Sequence, residues 1–292
     1  MSAKEMRIID FHTHVVPPWV IEERESLSTR DACFAMLYSH PTSKLATAED
    51  LLQSMDEAGV SMSVVLNIGW MSHDLCVRTN DYLIESSVKR PGRIIPFCMV
   101  QPTDVDLALR ELERCAAGGA RGIGELRPDI QNYSLADTNL LTPLMTLAAD
   151  HGMVLLTHVS EPVGHAYPGK GTITPEQPYA LAEAFPQVTL VCAHWGGGLP
   201  FYYLMPEVRK TLSNVYFDTA ATQYLYSPEV FRIVSQLTGE GHVVFGSDFP
   251  LIPQQRALND LWSAPLSEEA QLEVLSASAH RMLANRGGTH HV

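Results

Sequence analysis

Short aliphatic and β-branched runs recur along the chain at near-constant spacing, and no other feature limits its fold as strongly. They are "RIIDF" near residue 8, "SMSVVLNI" near 63, "RIIPFCMV" near 94 and "RGIGEL" near 122. They continue with "GMVLLTHV" near 154, "QVTLVCAHW" near 188, "NVYFDTA" near 215 and "HVVFGSDF" near 243. Most are continuously apolar rather than alternating, as strands buried on both faces of a parallel sheet are. From the second run onward the starts fall 27 to 34 residues apart, the length of one strand plus one crossover helix.

Helical patterns fill the gaps. Val105, Ala108, Leu109, Leu112 and Cys115 lie on one helical face, and Gly118–Gly119 supply a stop. "TAEDLLQSMDEAG" opens on Thr47, carries acids in its first turn and ends at Gly59. The pattern predicts an α/β fold, a single (β/α)8 TIM barrel spanning residues 1–292 as one domain, a usual length for that architecture. An open doubly wound sheet is the alternative. Two strand-to-helix connections are long: "VVPPWV…PTSKL" after the first run and "SEPVGHAYPGKGTIT" (160–174) after the fifth. In a barrel both lie over the C-terminal face, where they serve as pocket walls or lids.

Hydrophobic residues make up 46% of the chain, ample for a core, and the net charge of −13 argues against a nucleic-acid partner. No apolar run reaches the roughly 18–20 residues of a membrane span, and no secretory leader is visible. The five cysteines show no CxxC spacing, and Cys98 and Cys192 sit inside apolar runs as small buried hydrophobes do. The expectation is a cytoplasmic protein with a small-molecule substrate, and a homodimer is a fair reading of its assembly.

Chemically capable residues gather at strand ends. "RIIDFHTHVVP" (7–17) places His12 and His14 two residues apart, hence on one face of a strand and able to share one metal ion. The fourth run carries Glu125, the fifth ends in His158, the sixth in His194 and the eighth in Asp248. In a barrel all these ends open into one mouth. Imidazole and carboxylate without thiolate suit a divalent metal, zinc first, with manganese, iron or nickel as options. Arg127, Lys170, Tyr167 and Trp70 follow strands and are expected to meet the substrate, Arg127 and Lys170 through its carboxylate. His151, His242 and His280, and His290–His291 in the tail, are expected to take no part.

The segments "DFHTH" (10–14), "THVSEP" (157–162), "AHWGGG" (193–198), "VYFDTA" (215–220) and "FGSDFP" (245–250) resemble, in order and across nearly the whole chain, the amidohydrolase superfamily. The similarity is to the branch that includes aminocarboxymuconate-semialdehyde decarboxylase and related lyases and hydrolases. It implies metal ligation by His12, His14, His158 and Asp248, with His194 as a further ligand or an acid/base. Hydrolytic relatives with two ions carry a bridging carboxylate at the end of the fourth strand, where this chain has Glu125.

The expected function is therefore a metal-dependent hydrolase with one or two ions. It would activate water to cleave an amide, ester or lactone of a small organic acid, with Asp248 and His194 as catalytic groups. The alternative is a one-ion decarboxylase of an aromatic or unsaturated acid, with His194 as its acid/base. Two other classes fit less well. "GHAYPGKGT" (164–172) nearly matches a phosphate-binding loop but has Gly171 where magnesium needs Ser or Thr. A binding protein with a vestigial metal site leaves His194 and Asp248 unexplained. "GGG" (196–198) marks a turn out of the sixth strand, with a following helix N-terminus as a place for an anionic group.

Overall fold

Each of the eight apolar runs forms a strand: β1 Ile9–His14, β2 Met62–Leu66, β3 Ile94–Cys98, β4 Gly122–Leu126, β5 Val154–Thr157, β6 Leu190–Cys192, β7 Val215–Asp218 and β8 Val243–Val244. A computed structural model describes residues 7–239 and 241–284; His290 and His291 lie outside them. The strands run parallel in the order β1 to β8, with helices between them, so the barrel reading holds and the open sheet does not. The ring closes through the segment just past β8. Thr13 bridges Phe249, and Phe11 N, His14 N and Asp248 N donate to Phe245 O, Phe249 O and His12 O at 2.7, 2.7 and 2.9 Å.

Inside the ring, Ile9, Phe11, Val64, Leu66, Phe97, Leu156, Val191 and Val244 pack into one apolar plug, with Phe11 and Phe97 edge to face at 5.7 Å. Their neighbours along each strand point the other way, into the layer shared with the helices; Val65, for example, packs with Leu51 and Leu258. The predicted helices over Ala48–Ala58 and Val105–Ala117 are present. The first begins with Thr47 and Asp50 capping each other and ends at Gly59 in the left-handed region. All five cysteines are buried free thiols. Among the described residues no helix is long and apolar enough to cross a membrane.

The connection after β1 is more ordered than its sequence suggested. It folds into three short helices, Pro18–Glu22, Arg24–Arg30 and Ala32–Tyr38. Asp31 caps the third through Phe34 N at 2.9 Å, and Val20, Leu27, Phe34 and Tyr38 turn inward. None is long enough to show a helical period on its own.

Candidate active site

Two irregularities aim the first donors. Between Asp10 and Thr13 the β1–β2 register slips by one residue. Asp10 is therefore left opposite Ser63 on the outer face, while His12 and His14 turn into the barrel. A second slip, between Ile123 and Leu126, does the same for Glu125. It requires Gly124, because a Cβ there would lie 2.6 Å from Leu156 O. Past β6, His194, Trp195 and the three glycines 196–198 all take left-handed angles, φ between 57° and 96°. A Cβ on Gly197 would meet Ser160 O at 2.4 Å. This turn drops His194 into the mouth and buries Trp195 against Thr222. A 3-10 segment follows the glycines to Leu204 and the next α-helix starts only at Pro206, so no α-helix N-terminus stands directly behind them.

The donors converge. His12 Nε2 and His14 Nε2 are 3.0 Å apart. Asp248 Oδ1 lies 3.6 and 3.7 Å from them, and Glu125 Oε2 lies 4.0 and 3.6 Å from them. Donors sharing one ion through ~2.1 Å bonds stand roughly 3–4 Å from one another. The donor atoms of His12, His14 and Asp248 all lie within 4.8 Å of one another, as do those of His12, Glu125 and His194, so each trio is spaced for a cation, with His12 common to both. The chemistry agrees. Asp218 Oδ2 accepts from His12 Nδ1 at 2.7 Å, which puts the proton on Nδ1 and leaves the Nε2 lone pair facing the cluster. His14 Nδ1 is buried without a partner.

Electrostatics also call for a cation. Burial disfavours a proton on His12, yet Asp218, then Asp248 and Glu125, push its ring up to about 10. Burial and His12 together hold His14 below its ordinary value. Glu125 stays well below the usual carboxylate range despite burial, because His158, His194 and His12 surround it. Two buried carboxylates, Glu125 and Asp248, thus face the Nε2 atoms of His12 and His14, and without a metal ion it is a proton on His12 that offsets them, a place a divalent cation would take.

His158 and His194 stand one step back, both on Glu125 Oε1, at 2.8 and 3.4 Å. His158 Nδ1 donates to that oxygen and its Nε2 takes the Ser160 hydroxyl at 3.0 Å. Burial and Arg127 lower its ring to about 4, so it is neutral. His158 therefore buttresses Glu125 in this arrangement. His194 differs: its Nδ1 donates to Ala220 O at 3.3 Å, and Glu125, then Asp248, raise its proton affinity against burial.

The expected substrate contacts find other partners. Trp70 is a correction: it is fully buried, stacked on Phe34 at 5.6 Å, with its indole N–H on Asn67 at 2.8 Å. The helix Ala32–Tyr38 covers it, so it packs in the core and not at the mouth. The Arg127 guanidinium, buried to 2% exposure, is likewise taken. It grips Asp129 through Nε and Nη2, both at 3.2 Å, and donates to Gly169 O at 3.1 Å. Lys170 Nζ donates to Val163 O and His165 O within its own loop. The Tyr167 hydroxyl donates to Glu161 at 3.1 Å. His151 and His280 are exposed, and His242 binds Val215 O at 2.8 Å.

Asp218 and Asp10 are the residues that sequence reasoning missed. Asp218 ends β7 in "VYFD" and satisfies the same strand-end rule that found the others. Asp10 offered no such signal, since the register slip that sets its direction is not visible in the sequence.

A family model described as amidohydrolase matches residues 9–284. The 6-methylsalicylic acid decarboxylase of Penicillium expansum is 29% identical over 118 residues; the match spans 34% of this chain and about a third (36%) of that relative. Two solved structures superpose over almost the whole fold. The 5-carboxyvanillate decarboxylase from Sphingomonas paucimobilis gives a TM-score of 0.79 at 19% identity, covering 96% of this chain and 99% of its own. The 5-carboxyvanillate decarboxylase from Novosphingobium aromaticivorans, solved with manganese and 4-hydroxy-3-methoxy-5-nitrobenzoic acid, gives 0.78 at 16% identity, covering 97% of each chain. At such identities the likeness establishes the fold. All three relatives are decarboxylases, which overturns the expected cleavage of an amide, ester or lactone. The ion named with one of them is manganese, so zinc gains no support.

Proposed function

The chain belongs to the amidohydrolase family, and from that premise we propose that it is a metal-dependent, non-oxidative decarboxylase of a small aromatic carboxylic acid. His12, His14, Glu125 and Asp248 hold one divalent ion, manganese in the first instance. When bound, the ion supplies the positive charge that draws the substrate carboxylate to the cluster. Asp218 orients His12, and His158 steadies Glu125.

His194 is the proton donor. With both ring nitrogens protonated it satisfies Ala220 O and Glu125 Oε1 at once. As the bond between ring and carboxylate breaks, CO2 departs and the electron pair stays on the ring carbon. The His194 Nε2 proton then moves to that carbon, and solvent restores it. The six groups at the mouth are at most 9% exposed, which limits competing proton transfer from bulk water. A positioned acid of this kind is worth about 10²–10⁴-fold in rate.

The observation that carries the reading is one compact donor cluster with a proton-holding imidazole at its edge. The names of the relatives support an aromatic acid as substrate. The test is to incubate manganese-loaded protein in D2O with a panel of hydroxy- and methyl-substituted benzoic acids. Released CO2 with one deuterium on the vacated ring carbon is expected, and His194→Ala should slow it at least 100-fold. If His194→Ala keeps full rate on a substrate the wild type decarboxylates, the donor assignment falls; if no panel member yields CO2, the reaction class falls.

A further inference from the structure

The closing seam of the barrel is its weakest ladder. β8 has two residues, and beyond it only the Thr13–Phe249 bridge and a few backbone bonds join the ends. Yet this seam sets the distance between the two histidines on β1 and Asp248. Asp10 lies across it, fully buried, on the outer face of β1. Its Oδ1 accepts from Ser247 N at 2.9 Å and from His12 N at 3.2 Å. Its Oδ2 accepts from Ser247 Oγ at 2.6 Å and from Gln254 Nε2 at 2.8 Å.

We propose that Asp10 is a positioning residue that fixes the separation between the His12–His14 pair and Asp248, and thereby sets the affinity of the site for its divalent ion. This rests on the metal reading above. Two of its four donors belong to the backbone of site segments: the amide of His12 itself, and that of Ser247, one residue before Asp248. The bond to His12 N also holds the register slip that turns the histidines inward. Only a carboxylate accepts four hydrogen bonds without offering a donor of its own. An apolar residue would fill the layer, as Val65 does nearby, without tying the two strand ends together.

The test uses metal-free protein titrated with MnCl2, free Mn2+ being read by electron paramagnetic resonance, alongside thermal unfolding of the same metal-free samples. Wild type should bind one ion, and His12→Ala should abolish binding; failure of either overturns the metal reading and this inference with it. Given that baseline, Asp10→Asn should raise the Kd about 10- to 100-fold in protein that remains folded. Ser247→Ala, which removes one donor and keeps the carboxylate, should raise it less, and should add little in the Asp10→Asn background. If Asp10→Asn does not fold, Ser247→Ala alone decides. A lowered melting temperature with unchanged Kd in the variants would show a purely structural role and overturn the proposal.

Discussion

Asp218 has the widest reach of any single residue at the mouth. One of its oxygens fixes the tautomer of His12, while the other accepts from His194 N at 2.8 Å and Ala220 N at 3.1 Å. In the proposed reaction it would orient an ion ligand and seat the proton donor at the same time. Asp218→Asn presents an amide that can donate to His12 Nδ1, which favours the wrong tautomer. We expect manganese affinity to fall 10- to 100-fold, measured by competition with a chromophoric chelator, and decarboxylation to fall further. At this scale the sequence was informative wherever a capable side chain stood at a strand end, as for His12, His14, Glu125 and Asp248, although it did not show the register slips that turn the first three inward. It was silent where a distant segment decided the outcome. Trp70 follows β2 as a mouth residue should, but Phe34, on a helix from the previous connection, covers it.

The two long connections act as elements in their own right, and one ion pair joins them. Arg127 and Asp129, just past β4, hold the 160–174 connection through Gly169 O and Thr172 N, while Met36 Sδ of the helix Ala32–Tyr38 touches Arg127 Nη2. Ser160 then links that connection back to His158, accepting from Gly171 N at 3.0 Å. Arg127→Met should leave the half-buried Asp129 without its cation, held only by Thr172 N, at a cost of about 1–3 kcal/mol, measured by chemical denaturation. It should also make residues 160–174 the first site of proteolytic cleavage in the folded protein. The sequence located both connections through their length. It could not assign Arg127, because a guanidinium that binds a substrate and one that pins a loop have the same signature until Asp129 is placed beside it.

For the whole molecule, the barrel was legible because its period of 27 to 34 residues leaves room for little but strand, crossover and strand. The reaction was not, since one carboxylate at the end of β4 serves a bridging and a terminal role equally well. In the proposed site, a cation held by donors from β1, β4 and the segment past β8 would tie together strands around the ring. Manganese at a hundred times its Kd should stabilise the barrel by about 2.7 kcal/mol, seen as a rise of about 5–10 °C in melting temperature that excess chelator reverses. The five buried thiols should ignore an aromatic disulfide reagent in the native protein and react together on unfolding. The seam that Asp10 spans has a further consequence, in time rather than in space. Asp10 and Ser247 are 237 residues apart, so the seam can close only once the chain extends past β8, and it closes against the entropy of a long loop. A nascent chain not yet extended past β8 carries His12 and His14 without Asp248, so in the proposed site a fully held ion would report a closed ring.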